Sequence, residues 1–318
     1  MADTFTTTTG NWSPLVQTAF DTATSWYLND MVFFRTLVDK RPVAQAMPGV
    51  TVTLTILGQL PVNSTPLTEN LDVDAQAMPA PRQVSVTLAE YGNAVTTTAK
   101  LEKTAFTGTV VSDVAQEVAT NMVESLDPVY RTLLDNAANK LYIHTNGTIQ
   151  TADPAANTGS ITAKGAAASV TLLRGRKAPT RDGLNYVAYI HPDISFDLRT
   201  EAGSAWTNAH SYVDTGEIYR GEIGTFGGAR YIETPRCLKV TGTPNVYTTY
   251  YLGREGLVEA VGTEPGTRVG PIVDKLSRFR PLGWYALFGT TRFRENSLQI
   301  LKNSSSIGTL AGAYDPKA

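Results

Sequence analysis

VTVTLTILGQLPVNSTPLTENLDVDAQAMPAPRQVSVTL, residues 50–88, is the stretch on which the fold turns. At its ends Val50, Val52, Leu54 and Ile56, then Val84, Val86 and Leu88, alternate with threonine, serine and glutamine, the period of a half-buried strand. Two such runs suit a long hairpin. The connection, residues 58–82, holds Pro61, Pro66, Pro79 and Pro81 with little apolar material, too long for a tight turn and too poor to bury itself. A two-stranded arm is marginal in water, so this one needs a surface to lie on; in a monomeric enzyme the same stretch would read as a lid or a disordered insertion.

Upstream, Val16, Phe20, Ala23, Tyr27, Met31 and Phe34 recur at steps of three or four behind Ser13 and Pro14, a cap and a first helical residue. This amphipathic helix suits either a core element or an arm lying across another subunit. Downstream, Val111, Val114, Ala115, Val118, Met122, Leu126, Tyr130, Leu133, Leu134, Ala137 and Leu141 keep one apolar stripe for about thirty residues, a rod of roughly 45 Å. Pro128 lies inside it and predicts a bend near Glu124. Residues 147–165 read as a loop. Beyond them a helix ending near Lys177, a strand over 186–190, a helix opening at Pro192, a strand over 229–232 and an aromatic β segment over 246–261 make the fold class α+β.

The chain of 318 residues is 42% hydrophobic, and its length predicts two packed regions rather than one. With 27 Lys and Arg against 29 Asp and Glu, the formal charge of −2 does not suit tight binding of nucleic acid through its phosphates. Residues 268–302 carry seven basic side chains among Phe279, Trp284, Tyr285, Phe288 and Phe293, a pattern that fits a solvated strand face opposite a packed one better than a nucleic-acid platform. A single cysteine, Cys237, permits no intrachain disulfide and suits a reducing cytoplasm. The polar start and the lack of a run of about 18 apolar residues predict neither a signal peptide nor a membrane span.

Candidate chemistry is sparse. His144, His191 and His210 stand at no metal-ligand spacing with each other or with Cys237, so neither metal nor cofactor is expected. His191-Pro192-Asp193 and Cys237 could be imagined as a hydrolase pair, but Pro192 suits a helix start, Asp193 its positive end, and Cys237 a buried filler. Residues 221–228, GEIGTFGG, lack the Lys-Ser/Thr ending of a phosphate loop and read as a turn. Glu217 and Glu222 form a carboxylate pair too ordinary to imply acid/base work. The chain is not read as an enzyme.

Several segments, in order, resemble the major capsid proteins of tailed bacteriophages, in the branch typified by N4-like and actinobacterial phages. They are Leu37-Val38-Asp39-Lys40-Arg41, Tyr91-Gly92-Asn93-Ala94-Val95, His191-Pro192-Asp193 with Leu198-Arg199, Gly221-Glu222-Ile223-Gly224 before Tyr231-Ile232-Glu233-Thr234, and Leu252-Gly253-Arg254-Glu255-Gly256. The resemblance implies the Johnson fold: an N-terminal arm (1–48), an extended loop (49–98), a peripheral domain with a spine helix (99–160 together with 263–318) and an axial domain (161–262). It implies self-association into hexamers and pentamers of an icosahedral shell around double-stranded DNA, with contact by the loop through Val62, Asn63, Thr65, Leu67, Glu69, Leu71, Asp72 and Arg82. Arm contact would fall on Trp12, Phe20, Trp26 and Phe34. A portal protein, scaffold and decoration proteins and weakly held DNA would be the further partners, with assembly in the host cytoplasm and residence in the virion. An encapsulin-like compartment shares the fold and is the nearest alternative; a cysteine hydrolase using Cys237 and His191 is the second.

Some shells of this fold are locked by an isopeptide bond from a loop lysine to an asparagine of a neighbour. Residues 51–98 contain no lysine, and their one cation, Arg82, stays protonated and is a poor nucleophile. Mature particles boiled in detergent and reductant should therefore run as a single band near 34.3 kDa; a covalent ladder would overturn the noncovalent reading.

Overall fold

The computed structural model describes residues 34–42, 51–67, 69–70, 72, 75–104, 110–203, 206–208, 222–271, 274–276 and 278–307. A 3-10 turn, Phe34–Leu37, leads into β1 (Asp39–Pro42), β2 (Thr51–Ile56), β3 (Arg82–Thr87) and β4 (Ala89–Thr98), then α1 (Ala99–Thr104) and α2 (Val110–Asp135). There follow β5 (Lys140–Ile143), β6 (Ile149–Gln150), α3 (Ala163–Gly175), β7 (Tyr186–Ile190), α4 (Pro192–Ala202) and β8 (Thr207–Asn208). The remaining strands are β9 (Glu222–Phe226), β10 (Ala229–Glu233), β11 (Lys239–Val240), β12 (Val246–Leu252), β13 (Leu257–Val269), β14 (Phe279–Arg292) and β15 (Leu298–Asn303).

These strands form a nine-stranded mixed sheet, ordered β6-β5-β15-β12-β7-β10-β9-β8 with β11 beside β12, a four-stranded sheet, β1-β13-β14-β4, and a separate two-stranded ribbon, β2-β3. All five residues of β7 are buried, so it reads as an unbroken apolar run, Tyr-Val-Ala-Tyr-Ile. Its side chains alternate between two cores. Val187 and Tyr189 join Phe34, Met122, Leu126, Tyr130 and Phe288 in a core shared with α2 and the four-stranded sheet. Tyr186, Ala188 and Ile190 join Val170, Leu173, Ile194 and Leu198, so α3 and α4 cover the opposite face. The expected α+β class and two packed regions are both present.

Helix α2 buries Val118, Met122, Leu126, Tyr130 and Leu134 at steps of four and continues through Pro128, which has no N–H for the Glu124 carbonyl. It ends at Asp135, giving a rod of roughly 39 Å, shorter than expected. Ala137 and Leu141 are indeed buried, but Leu141 belongs to β5, which pairs in parallel with β15. A partner that far along the chain leaves no trace in the local period. The expected loop at 147–165 also contains β6, a 3-10 turn at Ala155–Asn157 and the start of α3. Residues 246–261 divide into β12 and β13, which lie in different sheets.

The N-terminal arm needs a correction. Phe34, expected at a contact between subunits, is 1% exposed within its own chain, edge-on to Tyr189 at 5.0 Å and to Tyr250 at 5.9 Å. Next to it Arg35 donates to both carboxylate oxygens of fully buried Glu259, at 3.0 to 3.2 Å, and also reaches Glu264. β1 then pairs with β13. Residues 34–42 are thus part of the body, because a ring and a paired guanidinium are buried more favourably there than on an arm. Likewise β4, expected in the extended loop, pairs along its whole length with β14. The helix expected before it, with Trp12, Phe20 and Trp26, lies outside the described residues.

Asp127, on the buried face of α2, meets Arg236 at 2.9 Å, yet burial outweighs the cation and pushes its carboxyl up to about 6. The folded form then holds a proton that the unfolded chain, with its ordinary carboxylate, releases near pH 4, so this group's contribution to stability falls as pH rises from about 4 to about 6. Asp127→Asn carries no such loss. In urea unfolding of the unassembled subunit, the stability of the variant relative to the parent should rise by up to about 3 kcal/mol between pH 4 and pH 7. A difference independent of pH would show that the carboxylate stays charged throughout.

Candidate assembly surface

The ribbon is where apolar surface and lack of cover coincide. Its register sets Val52 opposite Val86 and Leu54 opposite Val84, while Thr51, Thr53 and Thr55 face Thr87, Ser85 and Gln83. With period two, this gives one aliphatic face and one hydroxyl and amide face. Only the base of the aliphatic face is covered: Val86 is buried, Val52, Leu54, Ile56 and Val84 are half-buried. Gly289 of β14 makes the base possible, since a Cβ there would lie 2.3 Å from the Thr87 carbonyl oxygen and 2.8 Å from a Val86 methyl. The body thus grips the ribbon at one end and leaves the rest extended.

Beyond the strands, Leu57, Leu60, Val62, Leu67 and Met78 are all exposed, Val62 by 90% and Leu67 by 72%. Among the expected loop residues, Asn63, Thr65, Glu69, Asp72 and Arg82 are also exposed, and the Asn63 side chain accepts the Thr65 N–H at 3.0 Å in a local turn. Leu71 lies outside the described residues. The described loop residues are thus exposed beyond the strands, with Arg82 opposite Ile56 at the ribbon end away from the gripped base, while Phe34 is buried in the core. The sequence marks Val52, Leu54, Ile56 and Val84 as an alternating strand face, but the expected contact residues left this half-covered stripe out.

The supposed chemical centres dissolve into packing. His191 caps α4, its Nδ1 accepting the Asp193 N–H at 3.2 Å, and burial pushes it below the ordinary histidine value, which favours the neutral acceptor. Asp193 accepts from the Tyr247 hydroxyl at 2.6 Å. Cys237 packs in the other core, where burial pushes its thiol well above the ordinary range and away from the reactive thiolate. The glycine-dense stretch is only partly a turn: Glu222–Phe226 is a strand, and the reversal falls on Gly227 and Gly228, at φ 62° and 92°. The Glu217 and Glu222 side chains lie outside the described ones. Among the described residues no group of three or more His, Cys, Asp or Glu is placed to hold a metal, and no helix is long and apolar enough to cross a membrane.

A family model described as "Phage capsid protein" matches residues 131–309, more than half of the chain. The chain belongs to the phage capsid protein family. It is a structural subunit, a major capsid protein. Solved phage capsids share its fold. The capsid of Ralstonia phage GP4 superimposes with a TM-score of 0.69 at 12% identity, covering 85% of this chain and 87% of that one. The capsid of cyanophage P-SCSP1u gives 0.65 at 12% identity, covering 86% and 89%. An encapsulin of Synechococcus elongatus also matches, at 0.52 and 12% identity, covering 88% and 89%. No curated protein matches the chain by sequence. The encapsulin likeness is one of fold; the family match belongs to the phage proteins.

Proposed function

We propose that this capsid protein closes with copies of itself into hexamers and pentamers of an icosahedral shell around double-stranded DNA, and that the β2–β3 ribbon with residues 57–81 is its main grip on the next copy. The observation that carries this is the half-covered aliphatic face of a ribbon held only at its base. Two strands cannot bury that face against anything of their own. A neighbouring copy supplies the missing layer. Contacts on the order of 2,000 Å² or more per pair suit such an obligate assembly. Trp12, Phe20 and Trp26, in the arm ahead of Phe34, add to it.

In this reading the four-stranded sheet with α2 forms the peripheral part, and α3, α4 and the strands beneath them form the axial part near the symmetry axes. The role is wholly structural, without a catalytic step, and the subunit resides in the virion after assembly in the host cytoplasm. A portal protein and, by need, scaffold or decoration proteins complete the head. DNA is retained mechanically, since the net charge of −2 offers only scattered cations. An encapsulin-like shell would instead surround a cargo enzyme; portal and terminase genes beside this one would decide for the genome.

Deleting residues 62–79 tests the grip. The variant should keep the parent circular dichroism spectrum as an unassembled subunit and form no closed particles by negative-stain microscopy. Shells of normal size would refute the role given to the loop.

A further inference from the structure

Between β5 and β6 the chain reverses in three residues, Thr145-Asn146-Gly147, with Ile143 paired to Ile149 and the His144 N–H donating to the Thr148 carbonyl at 2.9 Å. Such a loop takes a left-handed residue in its last position, and Gly147 supplies it at φ 79°. The Thr148 N–H is taken up by the Asn146 side chain, whose Oδ1 accepts it at 2.9 Å. The hairpin geometry thus selects asparagine followed by glycine, and residues 146–147 are the one Asn-Gly pair in the sequence. That pair carries a chemistry that neither the packing of the subunit nor its assembly uses.

An asparagine side-chain amide can be attacked by the backbone nitrogen of the next residue, an intramolecular step for which the chain already holds both groups close. The Gly147 nitrogen, losing its proton to base, bonds to Asn146 Cγ; the Cγ–Nδ2 bond breaks and ammonia leaves, which closes a succinimide. One water then opens the ring at either carbonyl, giving aspartate or isoaspartate with no change of oxidation state. Three features of this turn favour the closure. Gly147 has no side chain to shield its nitrogen, and nothing lies within 4 Å of where a Cβ would sit. Residues 145–148 are exposed, so hydroxide and water reach them. The Thr148 N–H bonded to Oδ1 polarises the Cγ carbonyl and holds the negative charge that gathers on that oxygen. Opposing them, the Gly147 N–H donates to the His144 carbonyl at 2.8 Å, so the turn must loosen before the nitrogen attacks. It lies at the sheet edge, where β6 has only two residues to hold it.

We propose that Asn146 is a site of spontaneous deamidation in this capsid subunit, and that the β5–β6 turn converts to aspartate and isoaspartate while the body stays folded. The survival of the body follows from strand pairing. Isoaspartate adds a methylene to the main chain and breaks the turn, but β5 keeps its other partner, β15, and its buried Leu141 and Ile143. Each conversion also adds one negative charge, taking the formal charge of the chain from −2 to −3. Two comparisons lie in the same molecule. Asn157 is followed by Thr158, a β-branched and buried residue that shields its own nitrogen. Asp182-Gly183 has the sequence for the same ring, but the Asp182 carboxylate is 12% exposed and paired with Arg230 at 3.4 Å, which keeps it from turning onto its own backbone.

Mass spectrometry of the full-length subunit, aged in warm, mildly alkaline buffer and then cut with trypsin, tests this. The peptide 141–164 holds both Asn146 and Asn157, so fragmentation compares them directly. Asn146 should gain one dalton about tenfold or more faster than Asn157, and Asp182 should stay unisomerised, with the circular dichroism spectrum of the subunit unchanged. Gly147→Asn, which tolerates the left-handed conformation and shields the nitrogen with a side chain, should slow conversion at Asn146 by about tenfold. Equal rates at the two asparagines, or conversion in the urea-unfolded chain but not in the folded one, would show that the turn protects Asn146 and overturn the proposal. Conversion of the Gly147→Asn variant at the parental rate would rule out closure through that nitrogen and overturn it too.

Discussion

An apolar ribbon of two strands is fully covered only at its base among the described residues, and the rest of the molecule is arranged around that deficit. Within the nine-stranded sheet β7 is buried on both faces, between α3 and α4 on one side and α2 with the second sheet on the other. Among the described residues the ribbon has its aliphatic side chains on one face, Val86 buried at the base and Val52, Leu54, Ile56 and Val84 only half-buried. A chain that spent its apolar residues this way as a monomer would lose stability and expose a strand edge to random pairing. In the proposed lattice the same face would be the source of association free energy.

For such a joint to transmit force, its root must be rigid. The root is β14, pressed on α2 by Leu282, Trp284, Ala286 and Phe288, with the Trp284 indole N–H and the Asn93 amide both donating to the Asn121 side chain at 3.0 and 3.2 Å. The other edge of that sheet is closed by β1, which is fixed in turn by the buried Arg35–Glu259 pair and the Phe34 ring. Breaking that pair would strand a carboxylate at full burial, a loss of roughly 3–5 kcal/mol. A buried pair of this kind fixes the register of the first strand where a further aliphatic contact would leave it free to slide.

What could be read in the sequence was whatever is written in local period and local chemistry. The ribbon followed from alternation at 50–56 and 82–88, α2 from its stripe, and the start of α4 from His191-Pro192-Asp193, whose cap the structure contains. What could not be read depends on distant partners. Lys140–Ile143 looks like the tail of a helix until β15 is beside it, and Phe34 looks like the last apolar residue of an arm until Tyr189 and Tyr250 enclose it. The loop residues were legible as unsupported, but the aliphatic face beneath them needed the register, which assigns each strand residue to a side. The family motifs, read as landmarks, fall at such joints: Asp39 accepts the Glu255 N–H at 2.8 Å, tying the first motif to the last.

The polar groups that invite a catalytic reading are used in packing within the subunit. His191, Asp193 and Tyr247 lie within hydrogen-bonding or ring contact, and Ser195 donates to Glu233 at 2.7 Å close by. Here Asp193 takes the Tyr247 hydroxyl on its carboxylate and the Ser305 hydroxyl on its carbonyl, and His191 uses Nδ1 on the backbone of the first turn of α4. The set pins α4 to β12 and to the segment after β15, so that the helix and the sheet beneath it move as one piece. A subunit that must fit several neighbours gains from polar groups consumed internally, since an unsatisfied one at a packed joint would cost more than the joint returns.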